Sequence, residues 1–283
     1  MSLGLNKVQL KFSKMQGSGN DFVVFDAISQ NVRLTAEQVR WIAHRHKGIG
    51  CDQVLLVEST QHPEADFYYR IFNADGAEIE QCGNGARCVG RFVHLKQLTA
   101  KTTVTLETKA GLIGLELKAN NEVTVNMGKP RLEPQDIPFL TPQRAIIYEL
   151  PVAQVSRQIT AVSMGNPHAV QFVEDIDRAP VKEEGPLIEH HPLFPQRVNA
   201  GFVQLISPGK IRARVYERGA GETLACGTGA CAAVVAGRLR GVLNSEVEVE
   251  MPGGKLLVNW LGEDQAVFLT GPAHLVFEGS IDL

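Results

Sequence analysis

The 283-residue sequence lacks the features that mark several common classes of protein. It has no apolar run long enough to cross a membrane as a helix. Neither sign of charge dominates: 28 Lys and Arg residues against 31 Asp and Glu residues leave a net charge of −3, which gives no reason to expect a nucleic-acid partner. Aromatic residues make up only 6% of the chain, but hydrophobic residues make up 44%, which predicts an ordinary globular protein of about two domains.

Cysteine is also scarce. Five cysteines, an odd number without a compact framework, predict a reducing cytoplasm as the location. No pair of histidines accompanies them at the spacing of a structural zinc site, so zinc has little support. The glycine-rich stretches do not read Gly-x₄-Gly-Lys-[Ser/Thr], the pattern of a phosphate-binding loop.

One glycine-rich motif occurs twice. Residues 82–88 read Cys-Gly-Asn-Gly-Ala-Arg-Cys, and residues 226–231 read Cys-Gly-Thr-Gly-Ala-Cys. The leading cysteines are about half the chain apart, so the sequence predicts two similar halves that each bring one cysteine to a shared site. The same shift, or one two residues longer, aligns Arg70 with Arg214, Glu78 with Glu222, Cys82 with Cys226, and Asn20 with Asn166.

Each copy of the motif has the same surroundings. A strand-like run, at residues 67–72 and 211–216, precedes the cysteine, and helix-like residues follow it. We therefore expect each cysteine where a loop enters a helix. The free N–H groups and the dipole at a helix N-terminus favour anions and lower the pKa of a thiol, so each cysteine is a candidate thiolate.

Most free cysteines in proteins are inert packing residues. Here the cysteine occurs twice, each time with the same glycines after it, and this repetition favours a functional role for Cys82 and Cys226. Cys88 and Cys231 do not align with each other, so we interpret both as residues that pack their helices.

Three local patterns give further expectations. Residues 14–22 are polar and rich in glycine and predict a loop. Thr35, with Gln38 three residues later, predicts a capped helix that runs to about residue 46. Residues 183–191 predict a second helix, with Gly185 and Pro186 near its start.

Four motifs together make the sequence similar to diaminopimelate epimerase, and the similarity runs over essentially the whole chain. They are Gly-Ser-Gly-Asn-Asp-Phe at 17–22, Asn-Ala-Asp-Gly at 73–76 before the first cysteine motif, Met-Gly-Asn-Pro-His at 164–168, and Tyr-Glu-Arg-Gly at 216–219 before the second.

The resemblance implies an α+β fold of two pseudo-symmetric domains. Each would be a β-barrel-like sheet wrapped around a central helix, with the active site in the interdomain cleft. Residues 1–126 would form the N-terminal half, residues 272–283 would return to it, and residues 127–271 would form the C-terminal half. The resemblance also implies a cytoplasmic homodimer that uses no cofactor and no metal.

The activity implied is that of an isomerase. It would invert LL-2,6-diaminopimelate to meso-diaminopimelate, in lysine and peptidoglycan precursor biosynthesis. Helix N-termini aimed at the α-carboxylate would stabilise the carbanion. The thiolate of one cysteine would remove the α-proton, and the thiol of the other would donate a proton to the opposite face, so Cys82 and Cys226 are the expected acid and base. Glu217 and His168 would orient the reacting centre.

Substrate contacts follow from the same resemblance. Arg218 would pair with the distal carboxylate, which suits a bidentate guanidinium, and Glu217 would bind an ammonium group. The other expected contacts are Asn20, Gln53, Asn73, Asn166 and Asn199, with donors at the helix ends from Gly83, Asn84, Gly227 and Thr228.

Two alternatives stay open. The chain could be a proline or hydroxyproline racemase or epimerase of the same superfamily, or a non-catalytic binding protein of this fold. Arg218 argues for a substrate with a second amino-acid end, which proline lacks. The presence of both Cys82 and Cys226 argues against a mere binding protein.

Overall fold

A computed structural model of the protein describes residues 9–79 and 83–283. Its regular elements alternate short helices with many strands, as expected for an α+β protein. In chain order they are β1 (Gln9–Gly17), β2 (Asn20–Asp26), α1 (Ala36–Ala43), β3 (Gln53–Glu58), β4 (Phe67–Asn73), β5 (Glu78–Ile79), α2 (Gly83–Leu95), β6 (Thr103–Thr108), β7 (Gly111–Leu117), β8 (Val123–Asn126), a 3₁₀ turn (Pro134–Asp136), β9 (Tyr148–Val152), β10 (Val155–Ser163), β11 (Pro167–Phe172), α3 (Val181–Glu189), β12 (Asn199–Ser207), β13 (Lys210–Glu217), β14 (Gly221–Glu222), α4 (Gly227–Leu239), β15 (Glu246–Met251), β16 (Gly254–Asn259), β17 (Phe268–Gly271) and β18 (His274–Asp282).

Contacts divide the chain into two compact units. The first comprises Met1–Val125 and Pro272–Leu283, and the second comprises Asn126–Gly271. Each has apolar cores of its own. The C-terminal strand β18 belongs to the first unit because it pairs antiparallel with β1.

The two units repeat one order of strand pairing. In the first, β1 and β2 are antiparallel, β2 lies parallel to β3, β3 is antiparallel to β4, and β4 lies parallel to β6. In the second, the same four relations hold for β10 with β11, β11 with β12, β12 with β13, and β13 with β15. The predicted α+β fold with two similar halves is confirmed.

One helix in each unit is surrounded by strands. Helix α2 contacts β1, β2, β3, β7 and β18, and α4 contacts β10, β11, β12, β13, β16 and β17. The sequence of α4 suits this position because most of its residues are small or apolar, and nearly all of them are buried. A helix that is apolar all round has no face for water and is stable only inside a core. None of the helices in the described part of the chain is long and apolar enough to cross a membrane.

The expected loop at residues 14–22 is wrong. Strand β1 continues to Gly17, β2 begins at Asn20, and only Ser18 and Gly19 connect them. Both turn residues have positive φ, 55° and 84°. Positive φ at both positions is typical of the two-residue turn whose twist matches that of a β-hairpin. The polar residues that suggested a loop instead pair with one another, as described below for Lys14 and Asp21.

The two predicted outer helices are present. Thr35 accepts from the backbone N–H of Gln38 and completes the expected capping box, although α1 ends at Ala43 rather than near residue 46. The helix expected at 183–191 is α3, which begins two residues earlier and includes both Gly185 and Pro186.

Two glycines allow the central helices to approach the strands beside them. A Cβ at Gly85 would lie 2.3 Å from Tyr69 Oη, and one at Gly229 would lie 2.8 Å from Val215 Cγ2.

We expect Gly85→Ala and Gly229→Ala each to lower the free energy of unfolding by about 1–3 kcal/mol, because an added methyl overpacks a full core. Urea unfolding at pH 7 measures this.

The control is Gly201→Ala in β12, where a Cβ would meet its nearest neighbour at an ordinary 3.6 Å. Equal stability of all three variants would contradict the proposed close packing at the helix N-termini.

Candidate functional site

Cys226 occupies the position expected for it at the N-terminus of α4. It is the N-cap residue, with extended φ and ψ of −120° and 107°, and its carbonyl accepts from Ala230 N at 2.9 Å. Gly227 and Thr228 are the first two residues of the helix. The thiol is 4% exposed, and its sulfur lies 3.5 Å from Thr228 Oγ1. The structure thus places a buried thiol at a helix N-terminus.

The expectation that this position lowers the thiol pKa is wrong for Cys226. Burial, followed by the negative charge of Glu217 and a hydrogen bond to it, raises the pKa well above its ordinary value. The hydroxyl of Thr228 and the N–H of Gly229 favour the thiolate but are outweighed. Desolvation opposes any charged form, and here it exceeds the helix-end effect. Cys226 is therefore a thiol near neutral pH.

His168 and Asn166 connect to the same helix end. His168 Nε2 lies 3.1 Å from Asn166 Oδ1, and Asn166 Nδ2 donates to Thr228 Oγ1 at 3.3 Å. Because the amide oxygen can only accept, Nε2 carries the imidazole hydrogen and Nδ1 is an acceptor. Nδ1 is buried and has no hydrogen-bond partner within the described residues.

The His168 imidazole is neutral at physiological pH. Its side chain is fully buried, and burial, with the charge of Arg218 as a second cause, lowers its pKa to about 3. A neutral histidine can orient a substrate or accept a hydrogen bond, but it is no source of positive charge at this site.

Asn199, Glu217 and Arg218 meet where β12 begins and β13 ends. Asn199 Oδ1 accepts from the backbone N–H of Arg218 at 2.9 Å, and Asn199 Nδ2 donates to Pro167 O at 2.8 Å. Thr223 Oγ1 donates to the Glu217 carboxylate. Parallel pairing sets Asn199 beside His168, so the predicted residues of the second unit lie in one connected group.

The predicted residues of the first unit form two pairs. Asn84 Nδ2 donates to Asn20 Oδ1 at 3.4 Å, and Gln53 Nε2 donates to Asn73 Oδ1 at 2.9 Å. The other amide atom of Gln53, Oε1, is buried with no partner in the described part of the chain. Gly83 begins α2. Cys82 lies outside the described residues.

An ion-pair network that the sequence analysis missed holds Asn20 in place. Asp52 Oδ2 accepts from Asn20 Nδ2 at 2.8 Å and from Asp21 N at 3.1 Å. Arg45 donates to Asp21 through its two terminal nitrogens, Nη1 and Nη2, and to Asp52 at 2.6 Å. Lys14 also donates to Asp21, at 2.6 Å. The network joins residues 14–21 to residues 45–52, and neither periodicity nor motif connects these two segments of the sequence.

The repeated Arg and Glu residues are also paired. Arg70 binds the Glu78 carboxylate at 2.9 and 3.1 Å, and Arg214 binds Glu222 at 2.6 and 3.0 Å. In each unit the bidentate pair joins a strand to the segment that leads to a cysteine. These residues support the site from outside it.

Within residues 9–79 and 83–283, no group of three or more His, Cys, Asp or Glu side chains is arranged to hold a metal ion.

The Asp21 network predicts a pH dependence of stability. Burial would raise the Asp21 pKa, but hydrogen bonds from Arg45 and Lys14 and the charge of Lys14 outweigh burial and hold it well below its ordinary value. A carboxylate whose pKa is lowered by folding stabilises the protein fully at pH values above its unfolded-state pKa of about 3.9. That contribution is lost as the pH falls below this value. We expect the stability lost on Asp21→Asn, measured by urea unfolding, to be largest at pH 5–7 and to shrink toward pH 3.

Asp264→Asn is the matched control, since Asp264 is exposed and belongs to none of the ion pairs among the described residues. An Asp21→Asn difference that stays constant from pH 7 to pH 3 would show that the carboxylate charge contributes nothing.

Comparison with known proteins adds evidence independent of the geometry. The family profile described as diaminopimelate epimerase matches residues 12–133 and 160–276. The diaminopimelate epimerase of Nitrosospira multiformis is 58% identical over 276 residues, which cover 98% of this chain and 99% of that protein. That of Nitrosomonas europaea is 59% identical over 276 residues, covering 98% and 100%.

Solved structures with the same fold include more distant proteins. A Bacillus anthracis phenazine biosynthesis protein of the PhzF family superposes with a TM-score of 0.70 at 17% identity, over 97% of this chain and 99% of that one. A hydroxyproline epimerase from Agrobacterium vitis, with bound trans-4-hydroxy-L-proline, gives a TM-score of 0.67 at 17% identity, over 97% and 93%. At such identity the likeness shows the fold and does not decide the activity.

Proposed function

The chain belongs to the diaminopimelate epimerase family, and we propose that it converts LL-2,6-diaminopimelate to meso-diaminopimelate by inverting one α-carbon. The observation that carries this is identity of 58–59% to curated diaminopimelate epimerases over nearly the full length of both chains. The protein is an isomerase, and the reaction provides a precursor of lysine and of peptidoglycan.

The chemistry requires one group to remove the α-proton and another to return a proton on the opposite face. We assign these roles to Cys82 and Cys226. The raised pKa of Cys226 favours its thiol form, which can donate a proton. In the reverse direction it must act as a thiolate, and the Thr228 hydroxyl and the Gly229 N–H that favour its ionised form suit that role.

The helix N-termini serve the carbanion that forms between the two proton transfers. Negative charge spreads from the α-carbon into the α-carboxylate, so N–H donors fixed beside that carboxylate stabilise the transition state more than the ground state. In the second unit these donors come from the first turn of α4, at Gly227 and Thr228. In the first unit they come from the first turn of α2, at Gly83 and Asn84.

The polar side chains suit the two ends of the substrate. Arg218 offers a planar guanidinium to the distal carboxylate, and Glu217 offers a carboxylate to an ammonium group. His168 adds a neutral acceptor at Nδ1. The amide side chains supply the remaining contacts: Asn20, Gln53, Asn73, Asn166 and Asn199.

Exchange of the α-hydrogen tests the reaction and its residues. With LL-diaminopimelate in D₂O under reducing conditions, NMR should show deuterium entering the α-position together with inversion. Cys82→Ala and Cys226→Ala should each slow inversion by roughly 10²–10⁴-fold, the usual contribution of one positioned acid or base.

Cys231→Ala is the matched control, because Cys231 is a buried cysteine within α4, whereas Cys226 is the N-cap residue of that helix. It should retain inversion. Exchange with L-proline instead of diaminopimelate would support a proline racemase or epimerase. No exchange with either substrate would contradict the proposed enzymatic activity.

We also propose that the protein is a cytoplasmic homodimer. Reduced thiols are needed for the reaction, and the four cysteines described, Cys51, Cys88, Cys226 and Cys231, are all free. Strand β18 supports the dimer because it exposes consecutive apolar residues, with Leu275 40%, Val276 57% and Phe277 47% exposed. Neighbouring exposed apolar residues are a common mark of a protein interface.

Val276→Glu should convert the dimer to a monomer in sedimentation velocity at micromolar concentration, because it places a charge in the apolar patch of β18. Leu140→Glu is the control, since Leu140 is 60% exposed and belongs to the second unit, whereas β18 belongs to the first. A wild-type monomer, or a Val276→Glu dimer, would contradict the proposed interface.

A further inference from the structure

We propose that Glu189 is a positioning residue for the reaction. Its buried carboxylate holds the turn at residues 217–219 and thereby fixes how Glu217 and Arg218 are presented to the substrate. The inference rests on the proposed function, which assigns those two side chains to an ammonium group and to the distal carboxylate.

Glu189 is a carboxylate in an unusual place. It is the last residue of α3 and only 3% exposed. Its Oε1 accepts from the backbone N–H of Gly219 at 2.8 Å. The cations near it are farther away and more than half exposed: Arg197 Nη1 lies 3.7 Å from Oε1, and His190 Nδ1 lies 3.6 Å from Oε2. The main contact of the carboxylate is therefore the turn.

Two consecutive N–H groups of the turn are bound by side chains from other elements. Gly219 N–H donates to Glu189, and Arg218 N–H donates to Asn199 Oδ1. Gly219 has a φ of +76°, a conformation that costs other residues energy, so the turn depends on glycine there. With both N–H directions set, the direction in which the Arg218 side chain leaves the backbone is set as well.

Helix α3 holds Glu189 close to the end of β13. A Cβ at Gly185 would lie 2.5 Å from Tyr216 Cγ, so the helix rests directly on the residue that precedes Glu217. The carbonyl of Glu189 also accepts from Val198 N at 3.1 Å, next to Asn199. The carboxylate is thus attached to a helix that packs on the strand it supports.

The first unit offers an internal comparison. There the last residue of α1 is Ala43, whose carbonyl accepts from Cys51 N at 3.1 Å, as Glu189 O accepts from Val198 N in the second unit. The corresponding strands end in different residues: β4 ends at the neutral Asn73, and β13 ends at the charged Glu217. A carboxylate at the helix end thus occurs in the unit whose turn carries the charged pair.

The test is the steady-state kinetics of epimerisation by the full-length enzyme, with thermal unfolding measured beside it. Glu189→Leu replaces the glutamate with an apolar side chain of similar size, and it removes the acceptor of the hydrogen bond that Gly219 N–H donates. We expect its KM for LL-diaminopimelate to rise about tenfold, because the Arg218 side chain that binds the carboxylate remote from the reacting carbon is misplaced. We expect kcat to fall less than about threefold, because Glu217, which lies beside Cys226, is still held by the Thr223 hydroxyl. Glu189→Gln keeps a neutral oxygen acceptor and should raise KM only about threefold.

Glu184→Ala is the matched control for loss of a carboxylate from the same helix. Glu184 is also largely buried, 12% exposed, but pairs with Arg157 on β10 and leaves the turn untouched. It should lower stability and leave KM within twofold of the wild type.

Unchanged KM in Glu189→Leu, or an equal rise in Glu184→Ala, would overturn the proposal. If Glu189→Leu does not fold, Glu189→Gln decides, and an unchanged KM overturns the proposal. A wild type without epimerase activity would overturn the proposed function and this inference with it, whereas an active wild type with unaltered Glu189 variants would overturn this inference alone.

Discussion

The enclosure of α4 by strands is the constraint on which the second-unit site depends. Because the helix is buried on nearly all sides, its N-terminal N–H groups and the thiol of Cys226 are removed from water. Removal from water strengthens the electrostatic contribution of fixed donors, and it also penalises a thiolate. The burial on which the proposed stabilisation of a carbanion depends therefore also raises the pKa of Cys226 and favours its thiol form.

The two units share a scaffold but carry different side chains on it. The shared part comprises the order of strand pairing, the central helix and the bidentate Arg–Glu pair. At three aligned positions the first unit carries a neutral or apolar residue where the second carries a charged, titratable or hydroxyl group. These are Phe22 against His168, Asn73 against Glu217, and Asn84 against Thr228. The two units therefore present chemically different side chains on the same scaffold.

The misses of sequence reasoning have a common physical origin. Polarity and glycine content predict a loop at residues 14–22, but Lys14 and Asp21 form an ion pair that lets these polar residues fit in a hairpin. Arg45 and Asp52, which complete that network, lie in the connection between α1 and β3, and only the fold brings this connection beside the hairpin. Glu189 was missed for the same reason, since a single glutamate at the end of a helix carries no signal in one sequence.

Residue order and local backbone preferences were sufficient to predict the duplication, the α+β class and the family, since the repeat and the short motifs are properties of the sequence. It also placed a cysteine at the start of a helix, since a strand, a glycine-rich turn and a helix pattern are local features. The shifted pKa values of Cys226 and His168, and the contacts that hold Asn20 and Arg218, could be seen only in the folded chain. Those properties depend on burial and on contacts between distant segments, and neither exists until the chain has folded.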